Sequence, residues 1–159
     1  MIIKQSDLLW GLDNVFIKSF IESGMKKKHP KGFKLFSAGD SADFFYILVK
    51  GKIRLSVGKQ DKTTYHVEHG GEAFGWSGLV GMDIYSASAE CIEDSTVLIF
   101  AKEFIKEVTS DNPINGMRFY RRLARMLGNR LIHSYSLDDE DAIYHEHSIQ
   151  AGEAMQHPP

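Results

Sequence analysis

An antiparallel β-barrel or jelly roll bracketed by helices, α+β and mainly β, is the fold class that this sequence predicts, on three observations. Between Phe33 and Ala101 apolar residues recur at period two, in short runs separated by turn residues. Ahead of them, residues 13–23 carry apolar side chains at helical spacing. Behind them, Asn112-Pro113 opens a stretch with no further proline before residue 158. At 159 residues, 43% hydrophobic and 25% charged, the chain fits one globular domain with a true core.

The elements follow in chain order. Ser6 can cap a short helix over residues 6–12, and residues 13–23 place Val15, Phe16, Ser19 and Phe20 on one face before Gly24 ends the run. Short strands are then expected in FKLF, DFFYILV, KIRLSV (with Ile53, Leu55 and Val57 inward) and KTTYHV, with turns at AGDSAD, KG and GKQD. YSASAECI and STVLIFA bring the strands to at least six, which favours antiparallel barrel closure. Helix returns over residues 102–108, and the long helix is expected from about 113 to about 136. Along it Met117, Tyr120, Ala124, Leu127, Leu131 and Tyr135 form a seam close to a heptad, beside a second stripe of Phe119, Leu123 and Met126. Two readings are open: one stripe faces the barrel and the other a partner, or both make a single wide core face in a monomer.

Charge and cysteine usage narrow the function classes. All 19 Lys and Arg lie in residues 1–130, for a net charge of +4 there, whereas residues 131–159 carry 6 acids and no Lys or Arg. Residues 137–159 are therefore expected to be an acidic tail, and the arginines Arg118 to Arg130 to pair with it or with solvent. The apolar runs are far too short for a membrane span, the first residues lack a signal-peptide layout, and the single Cys91 fits a reducing compartment, so a cytoplasmic chain is expected. His66, His69 and Glu72, with His145 and His147, raise a metal-dependent cupin-like enzyme as a rival, but no two of the histidines share a strand face. No Ser-His-Asp, Cys-His or P-loop pattern is present, and the chain is expected not to be an enzyme.

Residues 71–89, GEAFGWSGLVGMDIYSASA, interrupt the strand pattern with a glycine-rich cradle of the kind that lets backbone approach a ligand. Together with KGFKLFSAGDSADFFYILVKGKIRLS, this cassette resembles the cyclic nucleotide-binding domain, in the form of the effector domain of catabolite-activator-like (Crp/Fnr-type) bacterial regulators, over nearly the whole chain to about residue 136. The resemblance implies an eight-stranded jelly roll with short N-terminal helices, a phosphate cassette between two strands, and a long C-terminal dimerisation helix. On this reading residues 1–136 are one domain, made of N-terminal helices (1–30), jelly roll (33–101) and C-terminal helices (102–136), and residues 137–159 are the tail.

The resemblance also implies a site, and the sequence departs from it at two positions. In members that bind cyclic nucleotides, a Glu after the cassette glycine holds the ribose hydroxyl and an Arg opening the next strand pairs with the cyclic phosphate. Here Trp76 follows Gly75 and Tyr85 stands in the Arg position. The pocket is expected from Phe74, Gly75, Trp76, Ser77, Tyr85, Ser86 and Ala87, with Arg130 and Ser134 of the long helix opposite, and the dimer interface from Met117, Tyr120, Ala124, Leu127 and Leu131. Loss of one partner of a buried ion pair costs roughly 3–5 kcal/mol. Cyclic AMP and cyclic GMP are therefore not expected to bind tightly. Either another small effector enters, or Trp76 and Tyr85 fill the old pocket. No cofactor is expected beyond such an effector. The partners expected are that effector, a second copy of the chain and an unidentified protein; no membrane is involved, and the acidic residues after 136 leave no DNA-reading segment for sequence-specific binding by this chain alone. The chain then reads as a sensor module for signal transduction, as the effector part of a transcriptional regulator, or as a purely structural interaction module.

Overall fold

The computed structural model describes residue 6, residues 8–58 and residues 62–153, of which 62–64 and 137–153 are described through their backbone. Eight strands form two four-stranded sheets: β1 (Met25–His29), β8 (Ser95–Ala101), β3 (Phe44–Lys50) and β6 (Ala73–Phe74) in one, and β2 (Lys34–Phe36), β7 (Ser88–Cys91), β4 (Ile53–Val57) and β5 (Lys62–Val67) in the other, in those spatial orders. Every pairing is antiparallel. Three helices accompany them: α1 (Asn14–Glu22), α2 (Lys102–Asp111) and α3 (Pro113–Glu153). The expected jelly roll with flanking helices is the fold observed.

Strand β3 reads as an unbroken apolar run because both faces of its sheet are covered. Tyr46, Leu48, Phe74 and Val97 join Phe36, Ile53, Val67, Ala89 and Cys91 in the core between the sheets. The alternate residues Phe45 and Phe100 pack instead with helical rings: Phe20 of α1 stands 4.7 Å from Phe100 and 5.5 Å from Phe119 of α3, and Phe45 meets Phe119 edge-on. Phe119 and Leu123 are fully buried, whereas Met117 is exposed. Within residues 1–124, Phe119 and Leu123 therefore face the core and Met117 does not.

Several local expectations need correction. Residues 8–12 form turns rather than a helix, although Ser6 Oγ does accept the Leu9 N–H at 3.4 Å. Asp13 caps α1 instead, taking the Val15 and Phe16 amides, and it is Ile17, not Val15, that turns inward. In β4, Ser56 is buried and Val57 exposed; the pairing with β5 shifts register at this point, with the extra residue on β5. Asn112, expected only to open α3, also closes α2: its side-chain N–H donates to the Val108 carbonyl at 3.1 Å, and its own carbonyl accepts the Gly116 amide at 2.7 Å as α3 begins.

Strand β1 was absent from the period-two pattern. It lies at a sheet edge, pairs only with β8, and exposes Lys26, Lys27 and Lys28 on both faces. Helix α3 does not stop near residue 136: its backbone runs helically to Glu153, through most of the expected acidic tail. The chain divides into two compact units, residues 1–124 and 125–159, the first holding both sheets.

Candidate functional site

Phe74 ends β6, and the chain then turns through Gly75 and Trp76 into a single 3-10 turn, Ser77–Val80. Two glycines make this path passable. Gly75 has φ 71°, and a Cβ there would stand 2.8 Å from Tyr46 Cδ2 and 3.2 Å from Phe36 Cε1. A Cβ on Gly78 would collide with the Ala42 carbonyl. The cassette is thereby pressed onto the loop joining β2 and β3. Within the turn, the amides of Leu79 and Met82 are spent on the Trp76 and Ser77 carbonyls.

Tyr85 differs most from expectation. It precedes β7 rather than opening it, and only 3% of it is exposed. Its ring stacks on Phe36 at 3.8 Å between centroids and 15° between planes. Its hydroxyl donates to the Phe44 carbonyl at 2.6 Å and accepts the Phe44 N–H at 3.1 Å. Burial raises the pKa of both phenols, foremost for Tyr46, where the neighbouring Tyr85 adds to it. Both remain neutral donors and acceptors within the core, and the Tyr85 hydroxyl is committed there rather than to a bound phosphate.

The other expected residues take different places. Phe74 and Ser77 are buried, Gly75, Trp76 and Ala87 half-buried, and Ser86 exposed. Phe74, Gly75 and Tyr85 come together around Phe36 and Tyr46. Arg130 and Ser134 belong to the second compact unit, where the Ser134 hydroxyl donates to the Leu131 carbonyl at 2.7 Å. Sequence reasoning missed Phe36, Phe44 and Tyr46 as partners of the cassette. FFYILV is apolar at every position, so no alternation in it marks Tyr46 as inward.

Two further clusters are weighed by their geometry. Lys34, Arg54, Ser56, Ser88, Ala89 and Glu90 line a depression of about 20 Å³ on the β2-β7-β4-β5 sheet, room for one water rather than a nucleotide. Arg54 and Glu90 are ion-paired across it. Glu72 caps a turn, accepting the Glu68 amide at 3.1 Å, the His69 amide at 3.5 Å and the Tyr65 hydroxyl at 3.3 Å. It is not turned toward His66 and His69 as a ligand set would require. Among the described residues no group of three His, Cys, Asp or Glu is arranged to hold a metal, and no helix is long and apolar enough to cross a membrane. His145 and His147 lie where only the backbone is described.

Two sheets in this topology, a glycine cassette between β6 and β7 and a long helix after them are the features by which known proteins can be compared. The profile of the cyclic nucleotide-binding domain matches residues 26–112. The chain belongs to the cyclic nucleotide-binding domain family. The Cyclic AMP receptor protein of Thermus thermophilus is 28% identical over 128 residues, which is 79% of this chain and 59% of that protein. The cGMP-dependent 3',5'-cGMP phosphodiesterase A of Dictyostelium discoideum is 25% identical over 118 residues, 74% of this chain but 13% of that protein. The chain thus spans less than two thirds of the curated relatives it matches. Among solved structures, the Catabolite Activator Protein of Thermus thermophilus superposes with a TM-score of 0.68 at 26% identity, covering 86% of this chain and 65% of that one. Cyclic nucleotide-binding domains are regulatory modules, and the similarity to the phosphodiesterase covers only a small share of that enzyme.

Proposed function

We propose that this chain is a non-catalytic, cytoplasmic sensor module of bacterial signal transduction. It dimerises through α3 and takes a small effector other than a tightly bound cyclic nucleotide. The observation that carries this reading is the commitment of Tyr85. Where the family places an Arg for the cyclic phosphate, a neutral ring is stacked on Phe36 and its hydroxyl is bonded to Phe44. Trp76, half-buried in the Glu position, offers a ring face rather than a carboxylate. Such a pocket favours an effector that is flat and weakly charged. Cyclic AMP and cyclic GMP are expected to bind no better than about tens to hundreds of micromolar, since backbone amides and hydroxyls replace only part of a charge-assisted pair. Isothermal titration calorimetry checks this, and a dissociation constant of about one micromolar or less would refute it. Native mass spectrometry of the purified protein would identify an effector that copurifies.

Dimerisation rests on the outer stripe of α3, where Met117 and Leu131 are more than half exposed in the single chain, Ala124 is exposed, and Tyr120 and Leu127 are half-buried. Pairing of such a seam with its copy is the way to remove it from water. Light scattering is expected to give the mass of a parallel homodimer at about tens of micromolar, and Leu127→Glu to give a monomer. A monomeric wild type, or an unchanged mass for the variant, would count against the seam. The share of the Thermus regulator that this chain matches favours a second reading, the effector part of a transcriptional regulator. Under either reading this chain alone does not read a DNA sequence.

A further inference from the structure

We propose that the loop of residues 80–84 is a docking surface for a partner protein's basic amphipathic helix. Val80, Met82 and Ile84 are exposed to 48%, 45% and 54% and alternate along the loop with Gly81 and Asp83. A single exposed apolar side chain is ordinary. Three at alternate positions of one loop make a patch of the kind that marks an interaction site.

The loop is held rather than slack. The Met82 amide donates to the Ser77 carbonyl at 3.1 Å, the Ala42 amide to the Asp83 carbonyl at 2.9 Å and the Tyr85 amide to the Asp40 carbonyl at 2.9 Å, and Ile84 bridges Ser41. Its apolar side chains are therefore kept outward by a fixed backbone, so binding there costs little ordering. Charge selects the occupant. Asp83 lies within the loop, and Asp40 and Asp43 lie on the segment bonded to it; the nearby Lys102 pairs with Asp43 at 3.5 Å. Three carboxylates against one ammonium leave a negative surplus beside the apolar patch. A helix with an apolar stripe flanked by Lys and Arg satisfies both features, whereas an acidic one is repelled. Met82, unbranched and central, can adapt to its side chains.

The test uses the full chain and two synthetic helical peptides, one of leucine and lysine and one with glutamate replacing each lysine, followed by fluorescence anisotropy. The basic peptide is expected to bind at least about tenfold more tightly than the acidic one. The double substitution Met82→Ser with Ile84→Ser should weaken it by about tenfold or more, and Asp83→Lys should narrow the difference between the peptides. Circular dichroism verifies that the variants fold. Equal binding of both peptides, no binding of either, or undiminished binding to the folded double variant would overturn the proposal. So would loss of the wild-type dimer in the double variant, which would assign the loop to contact between copies.

Discussion

Replacing Tyr85 with arginine, the residue the family uses at this position, is expected to cost the fold about 3–5 kcal/mol and to leave cyclic-nucleotide binding weak. Removal of a buried aromatic ring carries a loss of about that size on its own, and a guanidinium among Phe36, Tyr46 and Phe74 would be a desolvated charge that the nearby carboxylates of Asp40 and Asp43 offset only in part. If the new side chain swung outward, the space beside Phe36 would be left empty and the Phe44 amide would lose its acceptor. Tyr85→Phe, which keeps the stack and removes only the hydroxyl, should cost about 1–3 kcal/mol. Urea unfolding measures both. Adding Trp76→Glu to Tyr85→Arg should not recover tight binding, because the surrounding core has formed around the tyrosine. A stable double variant that titrates with cyclic AMP near one micromolar would show that the two side chains alone separate this pocket from its relatives.

Phe119→Ala is expected to destabilise the chain by about 3–5 kcal/mol, whereas Met117→Ala should change stability by less than about 0.5 kcal/mol. The two residues lie two positions apart on one helix. Phe119 is fully buried against Phe20 and Phe45, and Met117 is 58% exposed. The comparison is made in the Leu127→Glu background so that association does not contribute. Equal losses, or a larger loss at Met117, would mean that the outer stripe packs within its own chain and would remove the basis for the dimer seam.

Alternation made β2, β4, β5 and β7 legible and short continuous apolar runs made β3 and β8 so, because each has at least one side chain that must leave water. Strand β1 has no such requirement: Lys26–Lys28 bury nothing, and the strand exists because β8 offers it a hydrogen-bond ladder from seventy residues away. Strand β6 is only Ala73–Phe74, too short for any period. The extension of α3 past residue 136 was hidden by its acidic composition, which suits a solvated tail and a solvated helix equally. At the site, the cassette's glycines and the substituted positions could be read directly. The role of Tyr85 could not, since its hydroxyl meets a backbone forty-one residues upstream and only the closed barrel brings the two together.

The lysine edge of β1 also bears on how copies of this chain can assemble. An open sheet edge is a template on which a second molecule could add its own edge, and a third could follow. Two β1 strands laid antiparallel about Lys27 would set Lys26 opposite Lys28 on both sides of a Lys27 pair, with like charges facing at the three central rungs. Growth of the sheet from molecule to molecule is thereby opposed at its first step. At that edge the sequence thus works against fibres, which need an open edge that accepts its own copy.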